Sequence, residues 1–148
     1  MKINIRKLLI SIIIPIFLGS VVGFLTSGSN NYNDMIQPSF APPGILFPIV
    51  WTILYILMGI SSYIVSEKNG NLDIYVVQLI VNLRWSFLFF TFKWYLLSFL
   101  WILLLIVLVV IMIKDFYKIP KISSYLHIPY LLWIIFASIL NFSIYVLN

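Results

Sequence analysis

Cysteine is absent from the chain and histidine occurs once, at His127. The first absence excludes disulfides, thiolate metal sites and cysteine nucleophiles. A single histidine without cysteine or paired carboxylates does not make a metal site. Charged residues are scarce as well, at 9% of the chain, against about 25% in soluble domains. The four acidic residues, Asp34, Glu67, Asp73 and Asp115, all fall between or at the ends of apolar runs. No embedded carboxylate is available to carry a proton, which argues against ion-coupled export. No Gly-rich phosphate loop, no nucleophile and base at readable spacing and no nucleic-acid motif is present. The formal charge of +5 comes from basic residues scattered between apolar runs, a pattern of topology signals rather than of a phosphate-binding patch.

What the chain has in abundance is apolar and aromatic surface: 63% of residues are hydrophobic and 18% aromatic, with a mean hydropathy of +1.11. Five apolar stretches, residues 7–26, 43–65, 73–91, 95–114 and 121–147, are each long enough to cross a hydrocarbon core, which takes roughly 20 helical residues. In lipid such stretches must be helical, because a backbone group left unpaired has no water to turn to. The expectation is an all-α membrane protein, one five-helix transmembrane domain over residues 1–148 set in a lipid bilayer. Lys2, Arg6, Lys7, Lys68, Lys114, Lys118 and Lys121 share one side and Lys93 stands on the other, so the positive-inside bias places the N-terminus in the cytoplasm. The first run resembles a signal peptide, but it is long enough to span and no Ala-x-Ala site follows it, so it is read as a retained helix. With no presequence ahead of it, the expected location is a bacterial cytoplasmic membrane.

Within the runs, large side chains recur at helical intervals. In QPSFAPPGILFPIVWTILYILMG, residues 37–59, a proline-rich mouth leads into a helix expected to begin at Pro43, where a missing N–H costs nothing. Trp51, Tyr55, Met58 and Ser62 then share one face. Asn82, Trp85 and Phe89 form a second stripe, continued by Gln78, whose buried amide calls for a partner in another helix, a cavity or a ligand. Pro129, Trp133, Ala137, Leu140 and Ile144 form a third, flanked by Tyr130 and Asn141. Arg84 points nearly opposite Asn82 and is read as snorkelling to the headgroups. Gly19 and Gly23 are read as internal bundle packing in preference to a dimer contact. His127 can ligate a haem iron from one side, but an interfacial structural role is the reading taken. Taken together, the stripes describe an apolar, aromatic, sparingly polar cavity suited to a flat hydrophobic ligand.

The order of these residues resembles the TspO/MBR family, also known as translocator proteins, tryptophan-rich sensory proteins or peripheral benzodiazepine receptors. The likeness runs through Tyr32, Pro38, Pro42, Pro43 and Gly44 in the first loop, and Phe47, Pro48, Trp51, Thr52, Leu54, Tyr55, Met58 and Gly59 in the second span. It continues in the third with the pattern QLxxNxxWSxxFF (Gln78 to Phe90), and in the fifth with Pro129, Tyr130, Trp133, Phe136, Ala137, Leu140, Asn141, Ile144, Leu147 and Asn148. The resemblance implies a five-helix bundle, often a homodimer, that takes porphyrins such as protoporphyrin IX and haem, sterols or benzodiazepine-type ligands. Carried over residue by residue, it implies a pocket lined by Trp51, Tyr55, Asn82, Trp85, Phe89, Trp133, Ala137 and Leu140 under a lid of Tyr32, Pro42 and Pro43. This chain has Asn31, Gln37 and Phe40 where the family usually has Trp, Lys and Trp, which implies a different grip by the lid.

The leading expectation is thus a binding protein for sensing, sequestration or transport, with porphyrin as ligand, no required cofactor, no metal and no nucleic-acid partner. A light- and oxygen-dependent porphyrin-degrading enzyme using Trp51 and Trp133 is the alternative, and a sterol or lipid carrier the second.

Overall fold

The computed structural model describes residues 2–28 and 32–148; Asn31 lies outside the described residues. Five membrane-length helical segments account for the chain, and no strand occurs among the described residues. They are α1 (Ile5–Ser27), α2 (Leu46–Glu67), α3 (Asp73–Ser86), which continues through a π-helical turn over Phe87–Thr91, α4 (Tyr95–Phe116), and the pair α5 (Lys121–Tyr125) and α6 (Ile128–Leu147), which together make the fifth span. The expected integral, multi-pass architecture is therefore present.

Local chemistry sets the ends. Asn4 caps α1, its Oδ1 accepting from Lys7 N at 3.2 Å. The Asn4 N–H donates to the Tyr63 hydroxyl at 2.8 Å, and Lys7 pairs with Glu67 at 2.8 Å, so the start of α1 is tied to the end of α2. At that end Asn69 adopts a left-handed φ of 55° while Gly70 N donates to Val65 O and Asn69 N to Ser66 O. This Schellman arrangement satisfies the last carbonyls, with asparagine in the place glycine usually takes.

Two boundaries differ from the sequence expectation. The second helix begins at Leu46 rather than Pro43, because residues 43–46 and 44–47 close successive turns, Leu46 N to Pro43 O and Phe47 N to Gly44 O. The proline in the first helical turn is Pro48. The fifth span is broken at Leu126 and His127, since Pro129 at the head of α6 brings no N–H to continue the ladder from α5.

The helices form a ring in which α1 packs on α2, α2 on α5, the fifth span on α4, α4 on α3, and α3 back on α1. Gly59 makes the first of these contacts close: a Cβ there would lie 2.5 Å from the Ile12 Cα and 2.6 Å from the Ser11 carbonyl. Gly19 sits under the Tyr55 ring, which any Cβ would overlap. Gly23, by contrast, has nothing within 4 Å of that position. Of the small pair, one glycine serves internal packing and the other borders open space.

Polar residues occupy the middle of the ring. The Tyr55 hydroxyl donates to Asn82 Oδ1 (2.9 Å), Asn82 Nδ2 donates to the Tyr130 hydroxyl (2.8 Å), and Tyr130 donates to Gln78 Oε1 (2.8 Å). Gln78 Nε2 closes back on Tyr75 O at 3.0 Å. A second hub is Asn141, whose Oδ1 accepts from Trp85 Nε1 and Ser98 Oγ and whose Nδ2 donates to Tyr95 O. In hydrocarbon such groups have no other solvent, so the two amides clasp α2, α3, α4 and α6 together.

These contacts correct the expected orientation of α6. Tyr130 and Asn141, taken as flanks, point to the centre with Ile134 and Ile144, whereas Pro129 is exposed and Trp133 half-buried. His127, near the start of the fifth span, is fully buried between the rings of Phe116 and Tyr130, at 5.7 and 6.5 Å. Arg84 is exposed on the outer face of α3.

Candidate ligand-binding cavity

A cavity of about 840 Å³ opens at the end of the bundle that carries loop residues 32–45, between α1, α2 and the C-terminal half of α3. Its shape follows from side-chain size. Toward this end α1 offers Gly19, Ser20, Gly23 and Thr26 to the cavity, while α2 and α3 offer Trp51, Tyr55, Asn82, Trp85 and Phe90. Small residues facing large ones across a helix pair leave a void unless the backbones close up, and Gly19 already holds α1 in contact with Tyr55.

The aromatic wall is locked from behind. Trp51 stacks on Tyr55 with ring centres 5.7 Å apart and planes 28° apart. Trp85 stacks on Phe89 at 5.0 Å and is fixed by its indole N–H bond to Asn141, 3.0 Å long. The π-helical turn over Phe87–Thr91, with Phe92 N donating to Phe87 O at 2.9 Å, carries both Phe89 and Phe90 against Trp85. It ends where Lys93 takes a left-handed φ of 57°. π-turns frequently occur at functional sites.

The loop is fastened over the mouth. Tyr32 is buried, its hydroxyl donates to Pro42 O at 2.8 Å, and its ring meets Phe47 edge-on at 4.9 Å. Burial raises the phenol above its ordinary value of 10.0, so the donor keeps its proton. Gln37 Nε2 donates to Tyr32 O (2.6 Å). At the other end of the chain, Asn148 Nδ2 donates to Ile36 O at 2.9 Å and Ile36 N donates back to Asn148 Oδ1 at 3.3 Å. The end of α6 thereby holds the loop.

Of the residues expected at the site, Tyr32, Trp51, Tyr55, Asn82 and Trp85 line the cavity. Phe89 stands one layer back, behind Trp85. Pro42 contributes its carbonyl to the Tyr32 latch and Pro43 is exposed; neither faces the void. Ala137 and Leu140 are buried in the core of the bundle, away from the lining. Trp133 lies outside the lining, between α6 and α2, 5.8 Å from Phe47, 5.5 Å from Phe136 and 6.5 Å from Trp51. Phe40 of the loop reaches Phe136 at 6.2 Å. Trp133 thus packs behind Phe47 and Trp51 of α2. His127 does not reach the lining, so no histidine is placed to ligate a metallated tetrapyrrole there.

The wall that sequence reasoning missed is α1, with Asp34, Thr52, Ser86 and Phe90. The small-residue spacing of Gly19 and Gly23 was the available signal, and it pointed to packing alone. No group of three or more metal-ligating side chains occurs among the described residues.

The TspO/MBR family model matches residues 11–147. The chain is 40% identical over 152 residues to the tryptophan-rich protein TspO of Archaeoglobus fulgidus, covering 98% of this chain and 99% of that one. It is 36% identical over 156 residues to the tryptophan-rich protein TspO of Chlorobaculum tepidum, with 97% and 99% covered. A more distant relative, the translocator protein of Sus scrofa, is 29% identical over 144 residues, with 85% and 83% covered. The protein belongs to the TspO/MBR family.

Proposed function

We propose that this protein is a membrane receptor that takes a flat, hydrophobic ligand of tetrapyrrole type into the cavity under its first loop, for sensing, sequestration or transport. The observation that carries the reading is the cavity itself: about 840 Å³ walled by Trp51, Tyr55 and Trp85, within the roughly 300–1,000 Å³ usual for small-molecule sites. Indole and phenol faces attract a planar ring by offset or edge-on stacking, and Asn82 and the hydroxyls of α1 and α2 orient its polar groups. Relatives named translocator protein and tryptophan-rich sensory protein agree with a role in binding. The test is a quenching titration with protoporphyrin IX in darkness. Saturable quenching that Trp51→Ala weakens supports the reading; quenching that does not saturate, or that the variant leaves unchanged, sinks it.

A second reading is favoured by one feature. Trp51, on the cavity wall, is 5.7 Å from Tyr55, 6.2 Å from Tyr130 and 6.5 Å from Trp133, so oxidisable rings run from the void into α6. Such a cluster suits electron exchange with an excited porphyrin, with dioxygen as oxidant. Illumination of the complex in air distinguishes the two: a discrete bilin-like product, lost in Trp51→Phe, makes the protein an enzyme. Bleaching equal in the variant leaves a binder. Competition by a sterol for the same quenching signal separates a tetrapyrrole site from a general lipid carrier.

A further inference from the structure

The end of the bundle away from the cavity gathers basic side chains that are scattered along the sequence. Lys114 and Lys118 stand four residues apart at and just past the end of α4, and Lys121 opens α5 across the turn. Tyr117 joins them: Lys121 Nζ lies 5.1 Å from its ring centre, and the Tyr125 ring meets it at 6.2 Å. All three lysines are exposed and none is in an ion pair; the one salt bridge among the described residues is Lys7 to Glu67. Asp115, the acidic side chain of this corner, is exposed and pairs with none of them. At the other end of the bundle Lys93 is the only basic residue between α3 and α4.

The corner is held firmly from inside. Ser61 Oγ of α2 donates to Ser123 O at 2.6 Å, and Ser123 Oγ is within reach of Phe116 O at 3.1 Å and Pro120 O at 2.7 Å. Phe116, Ser123 and Ser124 are buried. Ile119 rests on the turn after α2, where a Cβ on Gly70 would be 3.0 Å from its Cδ1. The outer face is different in kind, for Tyr117, Ile122 and Tyr125 are exposed beside the lysines. Ammonium groups next to rings and an aliphatic side chain match two layers of a membrane surface: phosphates take the charges, and the apolar parts dip toward the acyl boundary. Three uncompensated cations in one corner repel one another. A phosphate among them relieves that repulsion and accepts charge-assisted hydrogen bonds. Because α4 and the fifth span both have membrane length, the turn that joins them lies at the headgroup level of one leaflet.

We infer that the α4–α5 corner is a docking site for an anionic phospholipid, with Lys114, Lys118 and Lys121 binding the headgroup phosphate and Tyr117, Ile122 and Tyr125 meeting the glycerol and upper acyl region. A headgroup without an ammonium is preferred, since cations outnumber acidic side chains here by three to one. The site is separate from the cavity and does not depend on what the cavity binds. A lipid held there braces α5, and with it the break at Leu126 and His127 that divides the fifth span.

The experiment titrates full-length protein in neutral detergent with phosphatidylglycerol and, separately, with phosphatidylcholine, and reads the affinity of the first bound lipid by native mass spectrometry. The variants are the triple substitution Lys114→Gln, Lys118→Gln and Lys121→Gln, and its charge-keeping counterpart Lys114→Arg, Lys118→Arg and Lys121→Arg. A control pair, Lys2→Gln with Arg6→Gln, removes two charges from the same end but outside the corner. The three lysines are exposed and outside any ion pair, so the fold does not need them, and thermal unfolding checks this. The native protein prefers phosphatidylglycerol. That preference falls about fivefold or more in the Gln triple, the scale of one basic residue or more at an anionic surface. It stays within about twofold of native in the Arg triple and in the control pair, as for exposed charges without a bound partner. Phosphatidylglycerol also raises the unfolding midpoint of the native and Arg proteins but not of the Gln triple, and about 0.5 M salt shrinks the rise. An unchanged preference in the Gln triple overturns the inference, and so does an equal fall in the control pair, which would reduce the effect to the general field of that end. Stabilisation by inorganic phosphate equal to that by the lipid would make the corner a free-anion site, and a lysine-dependent dimer in phosphatidylcholine would make it a contact with a second copy; either result also overturns the lipid assignment.

Discussion

The two sides of Trp51 and Tyr55 are built differently. Toward α6 the bundle is solid: Tyr130, Ile134, Ala137, Leu140, Asn141 and Ile144 are all buried, and amides on two helices tie the core together. Toward α1 it is open; that helix buries only Pro15 and Thr26. Both helices are strongly apolar, so hydrophobicity does not distinguish them. The difference is in side-chain volume and polar cross-links. In lipid an apolar face gains nothing by leaving its surroundings, so helices close tightly where shape or hydrogen bonds reward it. α6 has both rewards. α1 has a tight contact at Gly59 and Gly19, and beyond these a row of small residues facing large rings, which becomes the cavity.

Substitutions at two glycines should break this contrast most visibly. In Gly59→Leu the new side chain meets the backbone of α1, 2.5 Å from Ile12 Cα, and the helix pair must separate. Thermal unfolding in detergent should show a loss at or above the ~1–3 kcal/mol usual for overpacking. Gly23→Leu has open space around its Cβ; it should keep the native melting temperature and instead weaken ligand quenching by filling the mouth. Equal destabilisation by both would mean that α1 is packed along its whole length.

On the solid side, Asn82→Leu leaves the Tyr55 hydroxyl without its acceptor while Tyr130 keeps its bond to Gln78, and Asn141→Leu strands the Trp85 N–H while Ser98 keeps its bond to Tyr95 O. Each should cost about 1–3 kcal/mol in the same unfolding assay. Asn82→Leu should also alter binding, because Asn82 faces the cavity and Asn141 does not. Smaller effects separate the two tryptophans. Trp51→Ala should lower porphyrin affinity about tenfold, in line with the ~0.5–1.5 kcal/mol of an aromatic contact and the area lost with it. Trp133→Phe, behind Trp51, should change it by no more than about threefold, since an aromatic ring remains.

The smallest effect is expected at the latch. Tyr32→Phe removes the bond to Pro42 O, about 0.5–1.5 kcal/mol, and should appear as faster ligand release in stopped flow. Because burial raises the Tyr32 phenol above 10.0, the latch is fully formed below that pH and is lost only as pH rises through the higher value of the folded protein. Release rates in the native protein should therefore be flat from neutral pH to about 9, using the ordinary tyrosine value near 10 as the limit.

Much of this was legible in the residue order. The span lengths follow from apolar runs, and the stripes Trp51–Tyr55–Met58 and Asn82–Trp85–Phe89 do turn inward, because a period of about 3.6 leaves little choice once one member is large and buried. The face of α6 was harder. Trp133 and Tyr130 are neighbours on that helix, and periodicity cannot say which of two adjacent aromatics points to the centre; the hydrogen bonds of Tyr130 to Asn82 and Gln78 decide it. The part of α1 was hidden for another reason. Its residues are apolar on every side, so no stripe marks the inner face, and Gly19 and Gly23 look alike in sequence although one is packed and the other open.

The sequence by itself determined that the chain crosses a membrane as five helices, that it offers rings in place of charges, and that it belongs to the TspO/MBR family. These properties reside in single segments, whose length, period and residue type act without reference to their neighbours. Only the tertiary structure decided where the bundle stays open, that Trp133 packs behind Phe47 and Trp51 instead of lining the void, and that Asp34 stands at the mouth. A cavity is a failure of surfaces from different helices to fill the space between them, and no one helix carries that information.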